Sequence, residues 1–335
     1  MDTLTHIALG AIVGEALAGK KLGKKALLLG AVAQSLPDID FIAALWLNPA
    51  DNLLAHRGFT HSFIFIILIT PILALLADRW KITNPMSLRK WIYFFGLQLL
   101  IHLLIDSLNA YGVGWLEPFN HFRFSFHVLF VADPVFSLPL GLAFVALIIL
   151  RSNHRLRLPA TRFGLIFGVL YISYAVSNKL IINQDLDTAY TEMNIEPERY
   201  FVTPTPLNTW LWCAIAEIDS GYQISYHSVF DSRPDTNFTF FYRNESLLES
   251  INDQELKNLL QFSNGYYTAE QWGDTLVFND IRFGQMAGWS DPKAGFTFHY
   301  YLQRPEENKF VVQRGRFANW DFKTTQQFIE RIKGN

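Results

Sequence analysis

The chain has 335 residues, half of them hydrophobic, with 28 Lys/Arg against 30 Asp/Glu and a formal net charge of −2. That sum hides a split: residues 1–184 carry 15 basic and 9 acidic residues, residues 185–335 carry 13 and 21. An acidic second half lacks the basic footprint that nucleic-acid binding needs, and one cysteine, Cys213, excludes an internal disulfide and a thiolate metal cluster.

Six apolar segments follow one another in the first half, at about 4–18, 26–47, 63–78, 91–109, 128–150 and 163–183. Four are long enough for a membrane span of roughly 20 residues, and the first and third are short for one. No basic region precedes the first segment, so it does not read as a secretory signal. Gly10, Gly14 and Ala18 repeat at four-residue spacing along it, a small-residue face suited to close helix packing.

The loops alternate in charge. Those at 19–25, 78–90 and 151–162 hold 12 of the 15 basic residues, while 48–62 and 110–127 hold only Arg57 and Arg123. By the positive-inside rule the basic loops face the cytoplasm. The N-terminus and the acidic second half are then extracytoplasmic, on a multi-pass protein of the cytoplasmic membrane. The expected architecture is a multi-pass α-helical membrane domain of about six helices (1–184) followed by a soluble α+β domain (185–335).

In the second domain, "GYQISYHSVF", "NFTFFYR", "DTLVFNDIRFG", "FTFHYYLQ" and "KFVVQRG" read as strands rich in β-branched and aromatic residues. Residues 245–262 and 324–334 read as helices, and the proline-bearing stretch 194–208 as an extended linker into the domain.

With the orientation set, ionisable residues of the first half fall at one depth. His6, Asp38, Asp40, His56, His61, His102, Asp106 and Asp133 come from five segments, yet all lie in the outer part of the membrane or just above it. Charge within a span costs several kcal/mol unless paired or liganded. Imidazoles and carboxylates converging on one level suit a divalent metal, zinc first and manganese second. His102 and Asp106, four apart, share a helix face. His56 and His61 close the site from above. Arg57, between them, is placed to hold an anionic group, and phosphate matches a planar guanidinium. His121 and His127 read as surface residues without a carboxylate partner, His154 as solvated, and His227 and His299 as packed on strands; Glu15 has no evident role.

"MDTLTHIALG", "LPDID", "HRGFTHS", "HLLIDSLNAYG" and "ADP", in this order, resemble the bacterial YdjM-like family of membrane-bound proteins classed as metal-dependent hydrolases. The resemblance covers roughly residues 1–185, and "PTPLNTWLW" and "DIRFG" extend it to the tail of longer members. Five separated pieces in one order make it specific. The family is distantly similar to zinc-dependent phospholipase C and single-strand nucleases, soluble helical enzymes with multi-zinc sites. The resemblance implies that His6, Asp40, His56, His61, His102 and Asp106 ligate metal, with Asp38 and Asp133 as further ligands or their supports.

The function expected is hydrolysis of a phosphoester or ester in a lipid or lipid-linked substrate at the outer leaflet, by metal-activated water with Asp38 or Asp40 as general base. A divalent-metal transporter, or an envelope protein with a structural metal, are the alternatives. Transporter sites sit near the midplane with a polar route to both sides, and the inner halves of these segments hold few ionisable residues apart from Glu15.

Overall fold

Asp2 and Gly23 bracket the first helix, α1 (Thr3–Leu22). In the computed structural model, which describes residues 1–79, 86–233, 237–304, 307–308 and 320–335, the Asp2 carboxylate accepts from the Thr5 amide at 3.0 Å. This satisfies one of the orphan donors of the first turn. Gly23 closes the other end at φ 58°, a left-handed backbone that a Cβ would strain.

Helix α2 (Lys25–Ser35) packs against α1 through glycines. A Cβ built on Gly10 would come within 2.5 Å of the Gly30 carbonyl, and one on Gly14 within 2.2 Å of the Ala26 carbonyl. The small-residue stripe is therefore backbone-to-backbone contact, as its spacing predicts. Pro37 then breaks the helix, and the chain turns by 53° into a 3-10 helix, Pro37–Leu45. After α3 (Pro49–Ala55) and a single 3-10 turn at Phe59–His61 come α4 (Phe63–Arg79) and α5 (Leu88–Asp106). Trp91, Phe94 and Phe95 of α5 fill the space left by Ala18, Ala26, Ala33, Ala74 and Ala77.

The fifth apolar segment is shorter than its hydropathy suggests. Asp133 caps α6 (Pro134–Ile149) by accepting from the amides of Val135 and Phe136, and Pro134 sits at the first helical position. Residues 128–133 thus lie outside the helix. Helix α7 (Arg157–Met193) runs for 37 residues, past the expected boundary at 184. Among the described residues, α5 and α7 are long and apolar enough to cross a membrane. The count becomes four if the bent pairs Lys25–Ser35 with Pro37–Leu45, and Pro49–His61 with Phe63–Arg79, are single spans. More helical pieces occur than the six expected because Pro37 breaks the second apolar stretch and the loop expected at 48–62 folds into α3 and a 3-10 turn. Exposed Ile67, Leu142 (68 %) and Val169 give α4, α6 and α7 apolar outer faces.

Contacts divide the chain into one unit of Met1–Leu45, Ala55–Phe126 and Val131–Tyr174, and a second of Trp46–Leu54, His127–Phe130 and Ala175–Asn335. The second unit contains two antiparallel meanders. β1 (Arg199–Pro204), β2 (Leu211–Ile218), β3 (Gly221–Ser228) and β4 (Thr239–Tyr242) form one sheet; β5 (Tyr267–Trp272), β6 (Thr275–Gln285) and β7 (Phe296–Tyr301) form the other. The stretch read as a linker contains β1. The long helix expected at 245–262 is a 3-10 turn at Glu245–Leu248 and a separate α8 (Gln254–Phe262) capped by Asp253. Helix α9 spans Phe322–Ile332. The strand expected at "KFVVQRG", and Lys81 of the second basic loop, lie outside the described residues.

Candidate metal centre

Four side chains from three elements of the first unit converge. Asp38 comes from the 3-10 helix after Pro37, His61 from the turn before α4, and His102 and Asp106 from successive turns of α5. One ligand atom from each lies within 4.8 Å of all the others. His61 Nε2 and His102 Nε2 are 2.9 Å apart. Asp38 Oδ1 lies 3.5 Å from the first and 3.6 Å from the second. Asp106 Oδ2 lies 3.5 Å from His61 Nε2 and 3.7 Å from His102 Nε2. Ligands at the zinc–nitrogen distance form a tetrahedron with edges of about 3.3 Å, so the observed separations fit a divalent ion between them. The histidines and Asp106 are fully buried, and Asp38 is the partly open member, its side chain 18 % exposed.

The surroundings hold these groups in place. His61 Nδ1 lies 3.0 Å from Thr60 Oγ1, which donates at 3.2 Å to Asp40 Oδ2. His61 Nδ1 is also 3.3 Å from Asp40 Oδ2. A proton on Nδ1 satisfies that chain and turns the Nε2 lone pair to the cluster, the usual carboxylate–histidine support of a metal ligand. Asp40 also receives the Arg57 amide at 2.7 Å and pairs with His56 Nδ1 at 3.1 Å.

Asp106 divides its oxygens. Oδ1 meets His6 Nε2 at 3.0 Å, Arg57 Nη2 at 3.3 Å and the Met1 ammonium. Oδ2, facing the cluster, accepts no well-angled hydrogen bond, although Arg57 Nε is an ion-pair neighbour at 3.0 Å. A buried carboxylate oxygen that accepts no well-angled hydrogen bond keeps lone-pair capacity for a cation. The donor set and this orphaned oxygen both fit a metal.

Of the eight ligand candidates, Asp38, His61, His102 and Asp106 are brought together. His6 stands behind Asp106 with its ring 4.0 Å from that of His102. Asp40 supports His61, and His56 pairs with Asp40 while its side chain stays 37 % exposed. Asp133 serves α6 as its cap and accepts from the Tyr171 hydroxyl at 2.8 Å. Arg57 is buried: Nη1 donates to Asn109 at 2.8 Å and Nη2 to the Met1 carbonyl at 3.3 Å. Its backbone is left-handed, φ 58°.

Three residues outside the eight behave differently from expectation. His121 has a carboxylate partner, Glu117, at 2.8 Å, supplied by the four-residue spacing within one turn-rich loop. His127 is buried with its ring 4.5 Å from that of Phe201; burial, then Lys179 and Arg282, push its pKa well below the usual value and keep it neutral. Glu15 forms a two-pronged ion pair with Arg157, at 2.8 and 2.6 Å. The supporting residues missed in the sequence are Thr60, Asn109 and Arg123. Arg123 is buried and donates to the His56 carbonyl at 2.7 Å. Thr60 and Asn109 lie inside the motifs "HRGFTHS" and "HLLIDSLNAYG", the signal by which they could have been found.

Residues 1–182 match the model of the YdjM inner membrane protein family. The inner membrane protein YbcI of Escherichia coli is 32 % identical over 123 residues, 36 % of this chain and 69 % of that protein. The uncharacterized protein YfhP of Bacillus subtilis is 32 % identical over 128 residues, 36 % of this chain and 38 % of that protein, so the match spans well under half of YfhP's length. No solved structure matches the chain.

Proposed function

The chain belongs to the YdjM inner membrane protein family, and from that premise we propose that it is a membrane-embedded, metal-dependent hydrolase acting on a phosphoester or ester of a lipid or lipid-linked substrate. The observation that carries this reading is the cluster of four ligand atoms with one partly open member, Asp38. Four protein ligands alone match a closed structural zinc, so the catalytic reading rests on the open side at Asp38, where water adds as a further ligand in the five-coordinate geometry that zinc also adopts.

His61, His102, Asp38 and Asp106 hold the ion, zinc or manganese. When bound, it supplies Lewis acidity, lowering the pKa of water and polarising the scissile oxygen. Asp38 turns Oδ1 to the histidines, and its second oxygen takes the proton from the attacking water. Asp40, engaged by His56, Thr60, His61 and the Arg57 amide, acts by orienting His61. Arg57, already held by Asp106, Asn109 and Met1, keeps Asp106 aimed. His56, with its outer edge open, faces the substrate.

The positive-inside pattern supports a site at the outer side of the cytoplasmic membrane, with the N-terminus and the second unit extracytoplasmic. Exposed Phe41, Phe59, Phe119 and Phe122 on the same loops and turns offer apolar rings to a lipid surface. Transport is the weaker reading, because Glu15, the acidic residue of the inner half of α1, is consumed by Arg157.

The test uses detergent-purified protein loaded with zinc or manganese, incubated with phospholipids and with lipid-linked phosphates. Release of phosphate, phosphorylated headgroup or fatty acid is measured for wild type and Asp38→Asn. Turnover lost in a folded Asp38→Asn protein supports hydrolysis. No turnover on any of these substrates with metal bound, together with an unfolded Asp38→Asn protein, supports a structural metal instead.

A further inference from the structure

At the opposite, basic end of the first unit lies a cavity of about 610 Å³, formed by the end of α1, the start of α5 and the turn before α7. Its size falls within the range of small-molecule sites. Lys20, Lys21, Lys90 and Arg155 line it, all exposed at its rim. Glu15 is the acidic residue of the lining, and the buried Arg157 engages both its oxygens. Gly19 leaves room for that pair, since a Cβ there would come within 2.5 Å of the Glu15 carboxyl carbon. The four rim cations therefore have no acidic partner among the described residues. Like charges held around one concavity repel one another, and a bound anion relieves that repulsion.

The rest of the lining is apolar. Leu17, Tyr93, Phe94 and Leu158 contribute to it, and Tyr93 and Leu158 are also exposed on the outside of their helices. The cavity rim thus continues into helix faces that suit acyl chains. Basic pockets between spanning helices on the cytoplasmic side are suited to phospholipid headgroups.

We propose that this cavity binds the phosphate headgroup of an anionic phospholipid, with the phosphate among Lys20, Lys21, Lys90 and Arg155 and the start of the acyl chains against Tyr93 and Leu158. The ligand chemistry is a phosphodiester anion with an apolar tail. The site is separate from the His/Asp cluster and does not depend on hydrolase activity.

The experiment measures binding of a short-chain fluorescent phosphatidylglycerol to the full chain in neutral detergent, beside fluorescent phosphatidylcholine and with inorganic phosphate as competitor. Saturable phosphatidylglycerol binding at least about tenfold tighter than phosphatidylcholine is expected. The variant Lys20→Gln/Lys21→Gln/Lys90→Gln/Arg155→Gln should weaken it about tenfold or more. The control Arg79→Gln/Arg151→Gln/Arg162→Gln, which removes exposed charges that do not line the cavity, should leave it within about twofold. Equal binding of the two lipids, or equal weakening in both variants, would overturn the proposal. Displacement by millimolar inorganic phosphate would make the occupant a soluble phosphate and overturn the lipid assignment. Gel filtration of each variant confirms the fold, which these exposed positions do not support.

Discussion

The Nε2 atoms of His61 and His102, two fully buried rings, face each other at 2.9 Å. Two neutral imidazoles can share one proton at that distance, but only if one ring turns its Nε2–H to the other. The chain from His61 Nδ1 through Thr60 to Asp40 instead favours the proton on Nδ1. Two lone pairs then meet unless a metal ion, or a second proton on one ring, lies between them. Elemental analysis of protein purified without chelators should give stoichiometric metal, and His61→Ala, His102→Ala and Asp106→Ala should each reduce it below about a tenth. Metal retained at full occupancy in all three variants would rule out the cluster as its site.

Asp40 acts at one remove. Asp40→Asn keeps the shape but weakens the support of His61, and losses of this kind cost roughly 10–100-fold in metal affinity. Competition with a chromogenic chelator reads that change directly, while the far-ultraviolet dichroism should stay that of wild type. Unchanged affinity would remove Asp40 from the centre.

The contact between α1 and α2 leaves no space for a side chain at Gly14, where a Cβ meets the Ala26 carbonyl at 2.2 Å. Gly14→Val should lower stability by about 1–3 kcal/mol, the usual cost of overpacking. A fall in the thermal midpoint of the detergent-solubilised protein would register it. Gly141, which has open space around it, is the control, and Gly141→Ala should leave the midpoint near that of wild type.

Glu15 and Arg157 are a buried pair, with side chains 10 % and 5 % exposed. Removing one charge strands the other, at a cost of about 3–5 kcal/mol. Glu15→Gln should therefore destabilise strongly. The double variant Glu15→Gln/Arg157→Gln should recover part of the loss, less what Arg157 gives to the Leu147 and Leu150 carbonyls. A double variant worse than the sum of the singles would show that the pair does not act as one.

Orientation is open to direct labelling. Cys213 is buried, so background reaction with a membrane-impermeant maleimide should be low. In intact cells the variant Asn120→Cys should label and Arg151→Cys should not, both positions being exposed. The reverse pattern would invert the topology and place the His/Asp cluster at the cytoplasmic side.

Legibility followed the range of the interaction. His102 and Asp106 share a face because a helix repeats every 3.6 residues, and that could be read directly. Asp38 and His61 could be gathered by depth, since Pro37 and the apolar onset at Phe63 fix where their segments bend. What separates Asp38 from Asp40 is the direction of side chains on a 3-10 helix, and what separates His61 from His56 is the turn between them; no periodicity records either. Asp133 carried the right chemistry at the right depth, but its own backbone claimed it as a cap. β2 escaped notice because "LWCAIAEI" is buried on both faces and lacks alternation. Glu15 looked purposeless because Arg157 is 142 positions away.

The glycine contact near the middle of α1 also sets a tolerance for chemistry some eight residues away. With two backbones in touch, neither helix can be shimmed or rolled to absorb an error in length. Deleting one residue between His6 and Gly10 would turn the start of α1 by about 100°, swinging the imidazole and Met1 away from Asp106 while the four clustered side chains stayed in place. The length of that half-helix is thus a fixed dimension of the centre, as much as the identity of any ligand.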